Sequence, residues 1–163
     1  MKVQKLTKWG YLFTNESGCS ALVDPIESLP EIDAEKTVVF LSRHQAGFFD
    51  RNALAKLPRE IQIFIPLLED RSMANELISM GFRSIDEVDI HSLVCTMGFK
   101  FRVTNEDLGA GGGCVFVLAD IKSMQASRDE LLKYPFQKPF ESAYTSGERP
   151  LNVLLVGGKG AQA

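Results

Sequence analysis

The chain has 163 residues, 45% of them apolar, a formal net charge of -3 and a sequence pI near 5.4. That is long enough for one domain with a real core, 1–163, and too short for two ordinary ones. The acidic balance supplies no broad basic field for nucleic acid or an anionic membrane, which leaves small molecules or another protein as the expected partners.

No apolar run is long enough to span a bilayer, and the N-terminus lacks the apolar core of a signal peptide, so a cytoplasmic protein is expected. Cys19, Cys95 and Cys114 are widely spaced, form no CxxC pair and lie in or near strand-like segments. They read as buried reduced thiols.

In chain order, Lys2–Leu6, Tyr11–Thr14 and Cys19–Asp24 are short alternating or apolar runs separated by Trp9-Gly10 and by Asn15-Glu16-Ser17-Gly18. They predict an antiparallel meander that meets Asp24-Pro25. After a proline-containing acidic connection, Thr37–Leu41 is a β-branched strand that ends abruptly in Ser42-Arg43-His44-Gln45-Ala46-Gly47-Phe48-Phe49-Asp50. Helical spacing follows to Leu57-Pro58, then a strand over Ile61–Pro66 and a helix that Ser72 can cap and Gly81 can end, with Met73, Leu77, Ile78 and Met80 along one side. This β-α-β-α run predicts parallel strands joined by right-handed crossovers.

Strands return at Ser84–Val88, over a longer segment His91–Val103, and at Gly113–Asp120. The link Gly109–Gly113 reads as a hairpin loop, since no Lys-Ser/Thr follows it to make a phosphate-binding loop. Lys122–Tyr134 has helical spacing, 135–150 reads as a loop, and Leu151–Val156 is a buried strand by composition. The tail from Gly158 matches the loose Gly-x-Gly-x-x-Ala fingerprint, but the chain stops where the required helix would begin, so no nucleotide cofactor is expected.

The turn after Thr37–Leu41 is the natural place for chemistry, because ligands in α/β proteins bind beyond the carboxyl ends of strands. A core strand ending in Leu-Ser, a short polar loop and then Asp before a helix resembles the metal-binding loop of the metallo-β-lactamase superfamily. The similarity is to the small metal-dependent hydrolases related to the ascorbate-phosphate lactonase, whose loop reads Thr-His-x-His-x-Asp-His-x-Asp. The upstream meander and its Asp-Pro ending extend the resemblance. It implies an α/β fold with a mixed sheet, a metallo-β-lactamase-like αββα sandwich, here abbreviated at its C-terminal side.

Aligned on Ser42 and Asp50, the family's ligand positions fall on Arg43, Gln45, Gly47 and Phe48. None of these can serve as a zinc ligand there, and Arg43 would put a fixed positive charge where the cation belongs. The resemblance also aligns Asp120 with the family's metal-bridging aspartate, although a strand-end carboxylate accepting backbone hydrogen bonds is the plainer reading. The vestigial site thus comprises Arg43, His44, Gln45, Asp50 and Asp120, with no catalytic residue, metal or cofactor expected.

Arg43 could fill the vacant metal position by pairing with Asp120 and Asp24, or could form a pocket for a small anionic ligand. A makeshift metal centre from His44, Asp50, Asp120 and Asp24 is the alternative, giving a divergent metal-dependent hydrolase. His91 has no assigned role. Phe48-Phe49 would plug the former cleft. Gly-x-Ser-x-Gly is absent and the cysteines lie in strands, so no nucleophile triad is legible. The expectation is a catalytically degenerate domain that acts as a binding, scaffolding or regulatory subunit, with a protein partner or a second copy covering the shortened sandwich.

Overall fold

The computed structural model describes residues 2–7, 9–25, 29–90, 92–104, 113–121 and 152–155. His91, the glycine link 109–112, the expected helix 122–134, the loop 135–150 and the terminal fingerprint lie outside the described residues.

Strands β1 (Lys2–Lys5), β2 (Tyr11–Thr14) and β3 (Ser20–Val23) form the expected antiparallel meander, with Lys2 opposite Thr14 and Tyr11 opposite Val23. Gly18 turns the second hairpin with φ +82. β4 (Thr37–Phe40) lies parallel to β3, and β5 (Gln62–Pro66) and β6 (Ser84–Val88) extend the sheet in parallel, giving the order β1-β2-β3-β4-β5-β6.

Two short helices supply the parallel connections. In α1 (Arg51–Ala55), Asp50 is the N-cap: its Oδ1 accepts from the backbone N–H groups of Asn52 and Ala53 at 2.9 and 3.1 Å. Such a cap satisfies donors that the first helical turn leaves open.

In α2 (Ser72–Ser79), Ser72 is not the cap that its position suggests. It lies inside the first turn, and Asp70 Oδ1 accepts from its backbone N–H at 2.8 Å. That leaves the Ser72 hydroxyl available elsewhere. Gly81, at φ +94, ends α2 as expected, with Phe82 N–H bonded back to Leu77 O and Gly81 N–H to Ile78 O. Met73 and Leu77 are buried, whereas Ile78 points outward at 58% exposure, so the helix's apolar face is narrower than the sequence suggests.

The segment His91–Val103 is two strands rather than one. β7 (Val94–Thr96) and β8 (Phe99–Thr104) pair antiparallel across Met97 and Gly98, whose φ values are +47 and +80. Positive φ at both central residues is the mark of a two-residue hairpin turn, which apolar neighbours hid in the sequence. β9 (Val115–Asp120) pairs antiparallel with β8, and β10 (Val153–Leu155) pairs parallel with β9, so the second sheet has the order β10-β9-β8-β7.

Alternation along the strands divides the core into two layers. On β3, β4 and β5, Ala21, Val23, Val38, Phe40 and Phe64 face the second sheet and meet Phe99, Phe101, Val103, Phe116 and Leu118. Phe40 is the hub, edge-on to Phe101 at 4.8 Å and to Phe116 at 5.0 Å between ring centroids. Leu22, Val39, Leu41, Ile63 and Ile65 face the other way onto Leu54, Leu57, Met73 and Leu77 of the helical layer. The described elements therefore stack as helices, sheet, sheet. β9 is buried along its whole length, including Val115, Val117 and Ala119.

The cysteines depart from the uniform burial expected. Cys114 is buried, Cys19 is half-buried and Cys95 is exposed on β7, and all three are free thiols. Among the described residues, no helix is long and apolar enough to cross a membrane.

Candidate functional site

The polar turn after β4 sits where β3, β4 and the entry to β9 converge. Asp24 ends β3 in a left-handed conformation, φ +43, and is wholly buried. Its Oδ1 accepts from the Ser42 backbone N–H at 2.8 Å, and its Oδ2 accepts from the Ser42 hydroxyl at 2.6 Å and from Asn152 Nδ2 at 2.8 Å. Asn152 also donates to Trp9 O, so this carboxylate ties the start of β10 to the first hairpin. Burial pushes the Asp24 carboxyl up to about 6, while hydrogen bonds from Ser42 and Asn152 and the charge of Arg43 pull it back.

Among the described residues, Arg43 is the largest fully buried side chain. Its Nη2 donates to Cys114 O at 3.1 Å and its Nε reaches Ser42 Oγ at 3.4 Å. The guanidinium carbon lies 4.6 Å from the centroid of the Phe48 ring, which in turn stacks on Trp9 at 5.0 Å. Burial lowers the Arg43 pKa from its usual value, and the Asp24 charge opposes that shift. Gly113 makes room for it: a Cβ there would lie 2.7 Å from Arg43 Cβ and Nε. Cys114 N–H completes the joint by donating to Ser42 O at 2.9 Å. The Cys114 thiol is held well above its ordinary pKa by burial.

The remaining sequence-selected residues do not gather around Arg43. Asp120 is at the far end of β9, six residues beyond Cys114 or roughly 20 Å along an extended strand. There it is buried, and its Oδ2 accepts from Glu16 N–H in the β2–β3 turn at 2.9 Å. Arg43 is thus coupled to Asp24 by charge and through Ser42, and the expected pairing with Asp120 is not made. Asp50 caps α1. Gly47 holds the loop at φ +90, and Gln45 O accepts from Phe48 and Phe49 N–H, which folds the loop back on itself. Phe48 is buried against Trp9 and Arg43, as a plug of the loop interior.

His44 points away from Arg43, onto α2. Its Nδ1 is 2.9 Å from Ser72 Oγ and its Nε2 is 2.5 Å from Glu76 Oε2, while the ring meets Phe49 edge-on at 4.7 Å. Arg51 Nη1 donates to the other Glu76 oxygen at 2.9 Å. These contacts hold the Glu76 carboxyl below the usual carboxylate range, with the Arg51 bond the larger cause and the His44 bond next.

A pocket of about 350 Å3 opens beside this cluster, lined by His44, Gln45, Leu68, Glu69, Asp70, Ser72 and Met73. Ser72 and Glu76 escaped the sequence reading because they lie 28 and 32 residues from His44. Their i, i+4 spacing on one helix was the available signal, since that spacing puts two side chains on the same face.

No protein-family model matches the chain, and neither does any curated protein sequence. Among solved structures, a variant of the CmlA beta-hydroxylase superposes with a TM-score of 0.57 at 13% identity, over 72% of this chain and 29% of that one. An isothiocyanate hydrolase from Delia radicum gut bacteria superposes with a TM-score of 0.53 at 14% identity, over 74% of this chain and 62% of its own. The chain therefore spans less than two thirds of the length of either. Both proteins have the metallo-β-lactamase fold, and so does this chain: it is α/β, with the mixed sheet and the two-sheet core of that architecture.

Proposed function

We propose that the chain is a metallo-β-lactamase-fold domain whose metal loop has become a structural joint, and that it acts as a binding, scaffolding or regulatory subunit without metal-dependent hydrolysis. The observation that carries this reading is the buried guanidinium of Arg43. A permanent cation, packed on Phe48 and cradled by Gly113, stands in the loop where the fold's metal ligands would converge.

The donors present do not fit a metal ion. Asp24, the carboxylate nearest in charge to Arg43, already takes three hydrogen bonds from Ser42 and Asn152. His44, Asp50 and Asp120, the alternative donors, are committed to α2, to the N-terminus of α1 and to the β2–β3 turn. Zinc holds three or four ligands at one centre, and these side chains point to different parts of the fold.

A protein partner or a second copy is the occupant this reading favours. Among the described residues β6 is one of the two edges of the larger sheet, and the exposed Leu67 and Ile90 flank its end. Sheet edges of this kind are natural sites of pairing.

Elemental analysis of untagged protein, after dialysis against trace zinc, iron and manganese, tests the proposal. The expected result is folded protein with far less than one equivalent of any metal. Near-stoichiometric metal, lost together with hydrolytic activity on chelation, would overturn it in favour of a divergent hydrolase.

A further inference from the structure

The cluster of Ser72, His44 and Glu76 has an order that a purely structural role does not require. An ionised carboxylate is acceptor-only, so the ring nitrogen facing Glu76, Nε2, carries the imidazole proton. In the neutral ring, Nδ1 is then left with its lone pair aimed at the Ser72 hydroxyl 2.9 Å away. Hydroxyl, imidazole and carboxylate are thus connected in sequence, with Arg51 fixing the outer carboxylate oxygen. This is the nucleophile, base and orienting group of an acyl-transfer triad, which is recognised by geometry and roles rather than by chain order.

The surroundings supply the other requirements. Ser72 opens α2, whose first-turn N–H groups lack intrahelical acceptors. The N–H of Met73, the residue directly after the hydroxyl, is the donor that a nucleophile at a helix start offers to an oxyanion. The hydroxyl is not spent on capping: Arg71 holds the cap position, and Asp70 Oδ1 accepts the Ser72 backbone N–H. Both Ser72 and His44 line the pocket of about 350 Å3, whose walls include apolar Leu68 and Met73 and acidic Glu69 and Asp70. Such a space admits a small acyl group, and its carboxylates disfavour an anionic one.

We propose that Ser72, His44 and Glu76 form a metal-independent acyl-transfer site that hydrolyses small uncharged or cationic esters. Ser72 Oγ attacks the ester carbonyl carbon, its proton passing to His44 Nδ1. The tetrahedral intermediate collapses with cleavage of the bond to the alcohol oxygen, which takes that proton and leaves as the alcohol. Water then attacks the acyl-serine, giving a proton to His44; Ser72 Oγ departs and recovers it as the carboxylic acid is released. Glu76 keeps the ring in the tautomer that accepts at Nδ1 and balances the imidazolium.

The site shares no residue with the Arg43 joint but does use His44, a donor of the alternative metal centre, so chelator in the test keeps the two readings distinguishable. The test treats full-length protein with a fluorophosphonate in the presence of chelator, locates the adduct by peptide mass analysis, and follows p-nitrophenyl acetate hydrolysis in parallel. The expected result is one phosphonyl group on Ser72, absent in His44→Gln, with hydrolysis falling about 100-fold or more in Ser72→Ala and His44→Gln. Glu76→Gln keeps a group of the same shape but should also slow hydrolysis, which a role limited to anchoring the loop does not predict. No adduct on Ser72, or hydrolysis unchanged in Ser72→Ala, would overturn the proposal. These side chains are partly exposed, so loss of activity can be separated from loss of fold by the melting temperature of each variant.

Discussion

Asp24 is the residue on which charge, burial and backbone strain coincide. Its folded pKa of about 6 lies above the ordinary value of 3.8, so the folded chain holds this proton more tightly than the unfolded one. The resulting contribution to stability is full below the unfolded value and is lost as pH rises through about 6. A displacement of that size corresponds to about 3 kcal/mol. Urea unfolding of the wild type and of Asp24→Asn, from about pH 4 to about pH 7, should therefore show the wild type losing ground against the variant across this window. Parallel curves would mean that Asp24 titrates in the folded state as it does in the unfolded chain.

At the scale of elements, Arg43 and Gly113 join the end of β4 to the start of β9. Two sheets held together only by apolar contacts could slide, whereas a guanidinium bonded to the Cys114 carbonyl and resting on a glycine fixes their relation at this end. Arg43→Ala should lower stability by about 3–5 kcal/mol, because Asp24 and the Cys114 carbonyl would then be left buried without their cationic neighbour. Gly113→Ala should cost about 1–3 kcal/mol by overpacking. A double-mutant cycle with Arg43→Gly, which removes the three atoms nearest the new methyl, should return a coupling of about 1 kcal/mol or more by denaturant titration. Additive effects would show that Gly113 is set by something other than Arg43.

For the whole molecule, the larger sheet presents β1 and β6 as its edges and the smaller sheet β7 and β10, among the described residues. Edge strands are commonly covered or paired. On the reading of a partner-binding subunit, light scattering at micromolar concentration should give the mass of a dimer or a larger species. A clean monomer would remove the self-association arm and leave a different protein as partner. The fold itself is compatible with several chemistries, since a hydroxylase and a hydrolase both superpose on it.

The sequence by itself determined most of the described elements and their order, the β7–β8 hairpin excepted. β-branched runs, turn residues and 3.6-residue spacing are local signals, and they located the meander, the β-α-β-α run and β9 to within a residue or two. The resemblance carried by Leu41-Ser42 and Asp50 pointed to the fold, which the superpositions bear out.

Only the tertiary structure decided which of the selected residues meet. Asp120 and Arg43 looked like neighbours by alignment and are separated by the length of β9, because strand direction is set by pairing rather than by local sequence. The Met97-Gly98 turn was invisible for a related reason: a methionine at positive φ carries no turn signal and is held there by the strands on either side. Ser72 and Glu76 reach His44 through the packing of α2 against the sheet, a contact between residues distant in sequence that no spacing rule could supply.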